Sequence, residues 1–541
     1  METEDDGLRL LVVGLDAGCL PVLEPLFDAG KVPTLRRLFE TGVSAPLESQ
    51  LPPWTASAWP SLYTGTNPGK HGVYDFLAFD GYDWDVVNAS HVRARPVWEL
   101  LSDHGHTSVV VNVPVTHPQR EFSGALIPGM TAPENPPCHP DGILEDVVDA
   151  CGEYRVYPQS GGDEETELER YRRTIEGRGN AFRYLLERFD PDFGFVQFQQ
   201  TDSVFHERPG DKRAIEAVYE AVDEQLARTI LEYEPENVLV VSDHGIGRVD
   251  GWEFRINEFL RQRGDVVPKS GGEGMPTWTR AWQNDLLEGS SAGTNAAEAS
   301  VFEQLMAGAA RVGLTTQRVA AGLEAVGLKE VIGKRVPNEV IRAASEQVDF
   351  AASKAYLRSK SELGVRINLE GREPDGVVSQ DEYDEYREAL IEDLSNVQTP
   401  DGDPMFDTVA PREAVFDGPA LESAPDVVIA PAGFDNAVVE TLDGELFAEP
   451  WEPWNHKRTG VIGAAGAGFD ESVSLRGATI FDVAPTICSL FDIEVDEAMD
   501  GRVLPLVDAS ERTQYPEYEP EPITATDDDA VEDRLADLGY L

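Results

Sequence analysis

The sequence predicts an α/β fold in which a mainly parallel central sheet is flanked by helices and interrupted by a helical insertion or cap. Two observations carry this prediction. Short apolar segments are repeatedly followed by amphipathic ones, as in βαβ units. One long stretch, residues 262–346, begins rich in Gly, Ser and Thr and continues as helices without a strong strand. With 541 residues the chain can bury a large core beside a sizeable cleft.

The strands of the sheet are expected at the most apolar segments. A helix near residues 20–42 follows the first strand, and a helix around 481–491 follows the last. Between them, residues 353–376 are expected to return to the sheet through a hairpin, with a helix at 382–394. The predicted strands are LRLLVVGL (8–15), SVVVNV (108–113), FGFVQF (193–198), NVLVVSD (237–243), DVVIAP (426–431) and TGVIGAAG (459–466).

These elements divide the chain into four segments. Residues 1–261 and 347–508 are the two parts of one α/β core, separated by the insertion at 262–346. After residue 508 the composition shifts to Pro, Glu and Tyr and then to a short acidic helix. Residues 509–541 are therefore expected to form an acidic tail that is extended or only loosely docked.

Acidic residues dominate the charge of the chain. It has 99 Asp and Glu against 44 Lys and Arg, for a formal net charge of −55. Such a surface repels nucleic-acid backbones and anionic lipids, although a local cationic pocket could still bind a small anion. Only nine of the basic residues are lysine. This composition favours a halophilic protein from a salt-rich cytoplasm, where screening removes self-repulsion; an ordinary acidic enzyme is the alternative.

The termini and cysteines bear on localisation. The first residues, METEDDGLRLLVVGLD, lack a basic segment before the apolar run, which predicts a first strand and not a signal peptide. No window offers the roughly 20 apolar residues of a transmembrane helix. Four scattered cysteines have no CxxC spacing. The sequence thus predicts a cytoplasmic protein with reduced cysteines.

Two candidate site residues come early in the chain. Asp16 ends the first strand, where ligands gather in open α/β sheets; helix capping is the ordinary alternative. Thr55 lies between a Pro-Pro stop and a predicted helix in PPWTASAWPSLYTGTNPGKHG (52–72). Its hydroxyl would face the free N–H groups of a helix start, which can hold a phosphoryl oxygen. An N-cap is the commoner role of threonine at such a place.

Two further motifs pair a carboxylate with an imidazole. Asp202 and His206 in QTDSVFH are four residues apart, so a helical turn puts both on one face, suited to a divalent metal. A surface pair is the alternative. Asp243 and His244 end a strand in VVSDHGIGR, and both can reach one metal only if the backbone turns sharply, which Gly245 permits.

His456 completes the set of candidates and precedes a strand of small residues in EPWNHKRTGVIG. The mixed oxygen and nitrogen donors favour zinc or manganese over magnesium or calcium. The other histidines have no companion ligand at a diagnostic spacing and are interpreted as structural or surface residues: His71, His91, His104, His106, His117 and His139.

In this order the motifs resemble the alkaline phosphatase superfamily, most closely its type I phosphodiesterase/nucleotide pyrophosphatase family. In that family the nucleophile lies ten residues before the glycine of a Thr-Gly pair, which a His-Gly pair follows. Thr55, Thr64-Gly65 and His71-Gly72 reproduce this pattern. The similarity continues through NVPVTHP, INLEGREP, DVAPTI, MDGR and LADLGYL, and covers most of the chain except the insertion.

The resemblance implies an alkaline-phosphatase-like core and hydrolysis of phosphate esters with two divalent metal ions. One metal would activate the Thr55 hydroxyl for in-line attack on phosphorus, and water would hydrolyse the resulting phospho-threonine. By the same resemblance, Asp16, Thr55, Asp243 and His244 surround one metal, and Asp202, His206 and His456 hold the other.

One departure from the family concerns the phosphate-binding asparagine that nucleotide pyrophosphatases carry shortly after the His-Gly pair. Asp75 and Phe76 stand at that place, and a carboxylate would repel phosphate. Asp75 is therefore expected to point away, or another donor to replace the asparagine. The candidate donors are Lys70, Lys457 and Arg458.

The first hypothesis for function is a phosphodiesterase or nucleotide-pyrophosphatase-like hydrolase of a small phosphate ester. A phosphomonoesterase is the alternative, because the same metals serve both reactions. A sulfatase is disfavoured by the lack of a Cys/Ser-x-Pro-x-Arg motif at 50–60, and a phosphoglycerate mutase by the threonine. A metal-stabilised binding protein without turnover is supported only by the missing asparagine.

Overall fold

An eight-stranded sheet lies at the centre of the molecule. The computed structural model describes residues 7–158, 164–270, 346–519 and 522–526, with residues 531, 532, 534 and 535. The strands of the whole described chain, in the central sheet and in the smaller ones, are β1 (Leu10–Leu15), β2 (Val43–Glu48), β3 (Leu77–Asp80), β4 (Asp83–Val86), β5 (Ser108–Val111), β6 (Gly124–Ile127), β7 (Phe193–Phe198), β8 (Asn237–Val241), β9 (Gly245–Arg248), β10 (Glu253–Arg255), β11 (Pro268–Ser270), β12 (Glu346–Val348), β13 (Ala355–Tyr356), β14 (Gly364–Ile367), β15 (Phe406–Pro411), β16 (Val427–Pro431), β17 (Ala437–Val439), β18 (Phe447–Ala448), β19 (Trp454–Lys457), β20 (Thr459–Gly466), β21 (Ala478–Thr479), β22 (Val495–Asp496) and β23 (Arg512–Thr513).

The central sheet has the order β21-β2-β20-β8-β1-β7-β5-β6. Its strands run parallel except β20, which is antiparallel to both β2 and β8. Strands β1, β7 and β8 are buried along their whole length, as near-continuous apolar runs in parallel sheets are. The predicted α/β class with a mainly parallel sheet is confirmed.

Helices pack around the central sheet and around the smaller sheets. The segment expected as one helix at 20–42 is two helices, because Gly30 takes a positive φ of 66° and Pro33 starts a new helix. The helices are α1 (Leu20–Asp28), α2 (Pro33–Thr41), α3 (Thr55–Thr64), α4 (Pro68–His71), α5 (Val97–Asp103), α6 (Ile143–Cys151), α7 (Glu164–Phe189), α8 (Gln200–Glu207), α9 (Lys212–Tyr233), α10 (Ile256–Arg263), α11 (Tyr383–Ser395) and α12 (Val483–Leu490).

A second, smaller sheet corrects part of the predicted topology. DVVIAP was expected in the central sheet and the 353–376 hairpin was expected to return to it, but both lie in a separate antiparallel sheet of order β13-β14-β16-β15. This sheet has its own buried core with α10 and α11. Apolar runs predict strands but do not show which sheet a strand joins, because that depends on long-range pairing.

The predicted helical insertion at 262–346 falls mostly on residues 271–345, which lie outside the described part of the chain. Its described ends meet, since β11 pairs antiparallel with β12 and Pro268 faces Val348. Ser270 and Glu346, the described residues that bound this segment, are therefore paired side by side.

Two described residues of the predicted tail at 509–541 pack against the core. Val531 and Leu535 are buried in the core around the central sheet. Arg534 Nη2 lies 2.8 Å from Glu207 Oε1, at the end of α8. Among the described helices, none is long and apolar enough to cross a membrane.

Candidate active site

The carboxyl ends of three neighbouring strands bring the acidic candidates together. Asp16 follows β1, Asp243 follows β8, and α8 with Asp202 follows β7. Because β1 lies between β7 and β8 and is parallel to both, the three strand ends share one edge of the sheet. All three carboxylates are completely buried, so the alternative of a surface pair does not apply to Asp202 and His206.

Thr55 is the first residue of α3 and faces this edge. Its Oγ1 donates a hydrogen bond to Asp16 Oδ1 at 3.4 Å and lies 3.2 Å from His244 Nε2. Trp54 occupies the N-cap position, and no side chain caps the helix. The hydroxyl of Thr55 is thus directed into the cluster and does not cap α3.

His456 reaches the cluster through a strand pair. It lies on β19, which pairs antiparallel with β9 directly after the Asp243-His244 motif, and it faces Ile246 in that register. The His456 and His244 rings stack with their centroids 3.8 Å apart. The fold therefore joins residues more than 200 positions apart in sequence into one site.

The donor atoms form two overlapping groups. Each group has ligand atoms within 4.8 Å of one another: Asp202, His206 and His456 in one, and Asp16, Asp202 and His244 in the other. Asp202 Oδ1 lies 3.3 Å from His206 Nε2 and 3.6 Å from His456 Nε2. Asp202 therefore lies between the groups, whereas the resemblance implied contact with one metal only.

Backbone carbonyls set the tautomers of two histidines. His456 Nδ1 lies 3.1 Å from the Pro53 carbonyl oxygen, and His244 Nδ1 lies 3.0 Å from that of Gly245. A carbonyl only accepts, so each Nδ1 carries the proton and each Nε2 presents its lone pair to the cluster. Metal-binding histidines are oriented in this way.

Asp16 is held by residues that the sequence interpretation missed. Its Oδ2 accepts hydrogen bonds from Gln197 Nε2 at 2.6 Å and from Trp59 Nε1 at 3.3 Å. Asn112 Nδ2 donates in turn to Gln197 Oε1 at 2.6 Å. A glutamine inside the apolar strand FGFVQF is the signal that could have revealed this support, because a buried polar side chain needs a partner.

Gly245 is required for close packing and not for a turn. It does not have a positive φ. A Cβ at this position would lie 2.1 Å from the Thr459 carbonyl oxygen. Only glycine lets the chain after His244 approach β20 so closely.

Burial dominates the electrostatics of the site. It raises the pKa of Asp16 well above its usual value, and the neighbouring Asp243 and Asp202 carboxylates add to the effect. Burial also raises the pKa of Asp243 to about 6, against the opposing effect of His244. For Asp202 burial acts in the same direction, but His206 and the other two imidazoles outweigh it and lower the pKa.

The cluster fits divalent cations. Asp243 Oδ2 is buried without a hydrogen-bond partner, and among the described residues no lysine or arginine forms an ion pair with Asp16 or Asp243. Burial lowers the pKa of His456 well below its usual value, which keeps the imidazole neutral, the form that binds metals. Buried carboxylates without a lysine or arginine partner, beside the neutral imidazole of His456, are suited to metal ions.

The three candidate phosphate donors each form an ion pair with a carboxylate outside the cluster. Lys70 pairs with Asp500 and Asp417, Lys457 Nζ lies 2.8 Å from Asp435 Oδ1, and Arg458 Nη2 lies 2.7 Å from Glu48 Oε1. Their carboxylate partners lie far away in sequence, which sequence spacing does not predict.

Asp75, at the place of the expected asparagine, is buried and accepts a hydrogen bond from the Phe76 amide. Burial raises its pKa to about 7, and Glu362 adds to the effect. Asp75 therefore interacts electrostatically with Glu362, which lies on the connection between β13 and β14 of the second sheet.

The fold and the site together define a metal-dependent hydrolase of phosphoric esters in the alkaline phosphatase superfamily. The sequence model of the family "Type I phosphodiesterase / nucleotide pyrophosphatase" matches residues 10–461, and the chain belongs to this family. This confirms the family resemblance drawn from the motifs. No protein with a curated description matches the sequence at a significant level.

The first two of the following solved structures, with TM-scores above 0.5, show the same fold at low sequence identity. Phosphonoacetate hydrolase from Sinorhizobium meliloti 1021, in complex with phosphonoformate, aligns with a TM-score of 0.51 and 16% identity over 88% of this chain and 94% of its own. The alkaline phosphatase PafA aligns with a TM-score of 0.52 and 13% identity over 93% and 99%. Murine ectonucleotide pyrophosphatase / phosphodiesterase 5, in complex with AMP, aligns with a TM-score of 0.45 and 13% identity over 90% and 95%.

Proposed function

We propose that the protein hydrolyses a small phosphate diester or pyrophosphate through a phospho-threonine intermediate on Thr55. The position of the Thr55 hydroxyl carries this proposal: it lies at the first residue of a buried ten-residue helix, 3.2 Å from His244 Nε2 and 3.4 Å from Asp16 Oδ1. A nucleophile needs such neighbours to orient and activate it. The family membership supports the reaction class.

Two metal ions, zinc or manganese, would be held by the residues of the two groups. Asp202, His206 and His456 would hold one, and Asp16, Asp243 and His244 the other, with Thr55 beside it. When bound, such ions lower the pKa of a coordinated hydroxyl and neutralise charge on a phosphoryl group.

The chain itself orients the reacting groups. Thr55 Oγ1 loses its proton to solvent and forms the new bond to phosphorus while the bond to the leaving group breaks, and the leaving alkoxide or phosphate takes up a proton. Water then breaks the Thr55–phosphorus bond, which restores the hydroxyl and releases the phosphate monoester. The free N–H groups at the start of α3 are placed to hold a phosphoryl oxygen in both steps.

A diester is favoured over a monoester by the positions of the basic candidates. A monoester carries one more negative charge, which the pocket would have to neutralise. Lys70, Lys457 and Arg458 are each paired with a carboxylate outside the cluster. These side chains are thus engaged elsewhere, and a substrate with less charge suits the site better.

The experiment compares hydrolysis of bis-nitrophenyl phosphate and mono-nitrophenyl phosphate in high salt with zinc or manganese. We expect faster turnover of the diester and loss of nearly all turnover in Thr55→Ala with its metal content unchanged. Thr174→Ala is the matched control, since Thr174 is also buried in a helix and donates to the Arg170 carbonyl. It should retain full activity.

Other outcomes would redirect the proposal. Faster turnover of the monoester would make the protein a phosphomonoesterase of the same superfamily. Full metal occupancy without turnover of either ester would favour the metal-stabilised binding protein. Unchanged activity of Thr55→Ala would remove Thr55 from the role of nucleophile.

A further inference from the structure

A group of buried polar side chains lies behind α3, outside the metal-binding groups. Ser57 and Ser61 lie one turn apart on the helix, Gln50 precedes it, and His71 ends the short helix α4 that follows. All four are at most 4% exposed. Buried polar atoms need partners, and here they find them in one another.

The hydrogen bonds of His71 define its tautomer. The Val73 amide donates to His71 Nδ1 at 3.2 Å, so Nδ1 carries a lone pair and Nε2 carries the proton. His71 Nε2 lies 2.8 Å from Ser61 Oγ and donates to it. Burial lowers the pKa of His71 to about 3, which keeps the ring neutral.

The remaining bonds close a ring. The Ser61 hydroxyl donates to Gln50 Oε1, and Gln50 Nε2 donates to Ser57 Oγ at 2.5 Å and to the Pro52 carbonyl at 3.3 Å. Ser57 Oγ donates to the Val73 carbonyl at 2.7 Å. Each hydrogen has one acceptor, so the direction of every bond in the ring is determined.

This ring connects three segments at the start of α3. Gln50 fixes the chain just before Thr55, Ser57 and Ser61 fix the buried face of the helix, and His71 fixes the loop after it. Thr55 lies two residues before Ser57, and its hydroxyl contacts Asp16 and His244 of the metal-binding groups. The position of its hydroxyl therefore depends on how α3 is held.

We propose that His71 is a positioning residue for Thr55 and acts through Ser61 and the ring. This inference rests on the proposed role of Thr55 as nucleophile. His71 touches neither Thr55 nor the metal-binding groups in the described contacts. Its loss would displace the nucleophile without removing a ligand, and small displacements of a reacting group lower kcat strongly.

The test uses Ser61→Ala, which opens the ring by removing one hydroxyl. We expect kcat for bis-nitrophenyl phosphate to fall about 10- to 100-fold, with KM changed less than about threefold and zinc content unchanged. Ser353→Ala is the matched control. Ser353 is equally buried, donates to the Asp349 carbonyl and accepts from the Val267 amide, in the region of the second sheet.

Two substitutions of His71 separate the halves of its role. His71→Gln keeps a donor near the position of Nε2 for Ser61 but loses the acceptor for Val73. His71→Asn keeps that acceptor but loses the donor toward α3. We expect His71→Gln to retain several-fold more kcat than His71→Asn, because the bond to Ser61 joins His71 directly to the helix that carries Thr55, whereas the bond to Val73 reaches that helix only through Ser57.

The proposal is overturned if Ser61→Ala and Ser353→Ala lose kcat equally at equal loss of thermal stability, or if His71→Asn is as active as His71→Gln. If one variant does not fold, the other comparison still decides. Thr55→Ala assayed in parallel keeps the two proposals apart: an active Thr55→Ala contradicts the nucleophile, whereas an inactive Thr55→Ala with a fully active Ser61→Ala contradicts only the positioning role.

Discussion

Two regions of the molecule bury carboxylates completely, and they compensate the charge in opposite ways. In the second sheet, Asp426 accepts two 2.7 Å bonds from Arg372, one from the Ile367 amide and one from the Tyr383 hydroxyl. Burial would raise the pKa of Asp426, but Arg372 outweighs this and lowers it to about 2. At the site, burial raises the pKa of Asp16 and Asp243.

The difference shows which region compensates its buried charge with its own side chains; we call this the self-sufficient region. A buried carboxylate is stable when a guanidinium binds both oxygens. Among the described residues Asp243 Oδ2 has no hydrogen-bond partner, and the base paired with it is His244, with Nε2 at 3.2 Å. The Asp426 region supplies its own cations and serves the fold, whereas the site leaves its charge for a bound cation.

Removing the guanidinium from the self-sufficient region should have the largest effect. Arg372→Gln leaves Asp426 buried with part of its charge uncompensated, which typically costs about 3–5 kcal/mol. We expect a loss of this size in the free energy of unfolding, measured with denaturant in high salt. Metal content should be unchanged, because this pair lies in the second sheet.

Arg387→Gln serves as control for Arg372→Gln. Arg387 pairs with Glu413 at 2.9 Å, and the Glu413 side chain is 46% exposed. A pair of this kind contributes about 0–1 kcal/mol. Equal losses for the two variants would show that Arg372 does not compensate a buried charge.

The pH dependence of stability should differ in sign between an acid whose pKa is lowered on folding and one whose pKa is raised. The pKa of Asp426 is lower in the folded chain than its usual 3.8, so it stabilises the fold above that pH by about 2 kcal/mol and loses this as pH falls toward 2. The stability difference between the native chain and Asp426→Asn should therefore narrow below pH 4, as measured by unfolding at a series of pH values.

Glu99 is the opposite case within the same chain. Burial raises its pKa from 4.5 to about 7, although Arg120 opposes the shift. Its ionisation disfavours the fold as pH rises through this window, by about 3 kcal/mol in total. Glu99→Gln should gain stability relative to the native chain from pH 4.5 to 7. A gain on lowering the pH instead would contradict the assigned direction.

The sequence predicted the strands that carry the site because they are buried on both faces. FGFVQF was placed at the observed bounds of β7, and the predicted β1 and β8 differ from the observed strands only at their ends. Asp16, Asp202 and Asp243 could be placed at one edge, since parallel strands align their carboxyl ends. The apolar runs of these strands therefore predicted the position of most of the site residues.

What the sequence could not predict depends on contacts between distant residues. Lys70 is neutralised by Asp500, and Arg458 by Glu48, which no local spacing reveals. His71 was interpreted as structural or surface, yet it is fully buried in the hydrogen-bond ring behind α3. Its motif predicted family membership, but its partners Ser61 and Gln50 are seen only in the fold.

Asp243→Asn tests the difference between the two regions most directly, because the sign of its effect on stability should depend on whether metal is bound. At pH 8, ionised Asp243 destabilises the metal-free fold because its pKa is raised to about 6. Asp243→Asn should therefore stabilise the metal-stripped protein by about 3 kcal/mol and lose that advantage in zinc, because the variant binds the ion less tightly. Thermal unfolding with chelator and with zinc measures both. Asp426→Asn, the same substitution in the self-sufficient region, should destabilise the protein in both conditions. If Asp243→Asn also destabilised the metal-free chain, Asp243 would be compensated by the protein, and the site would not depend on a cation for its charge balance.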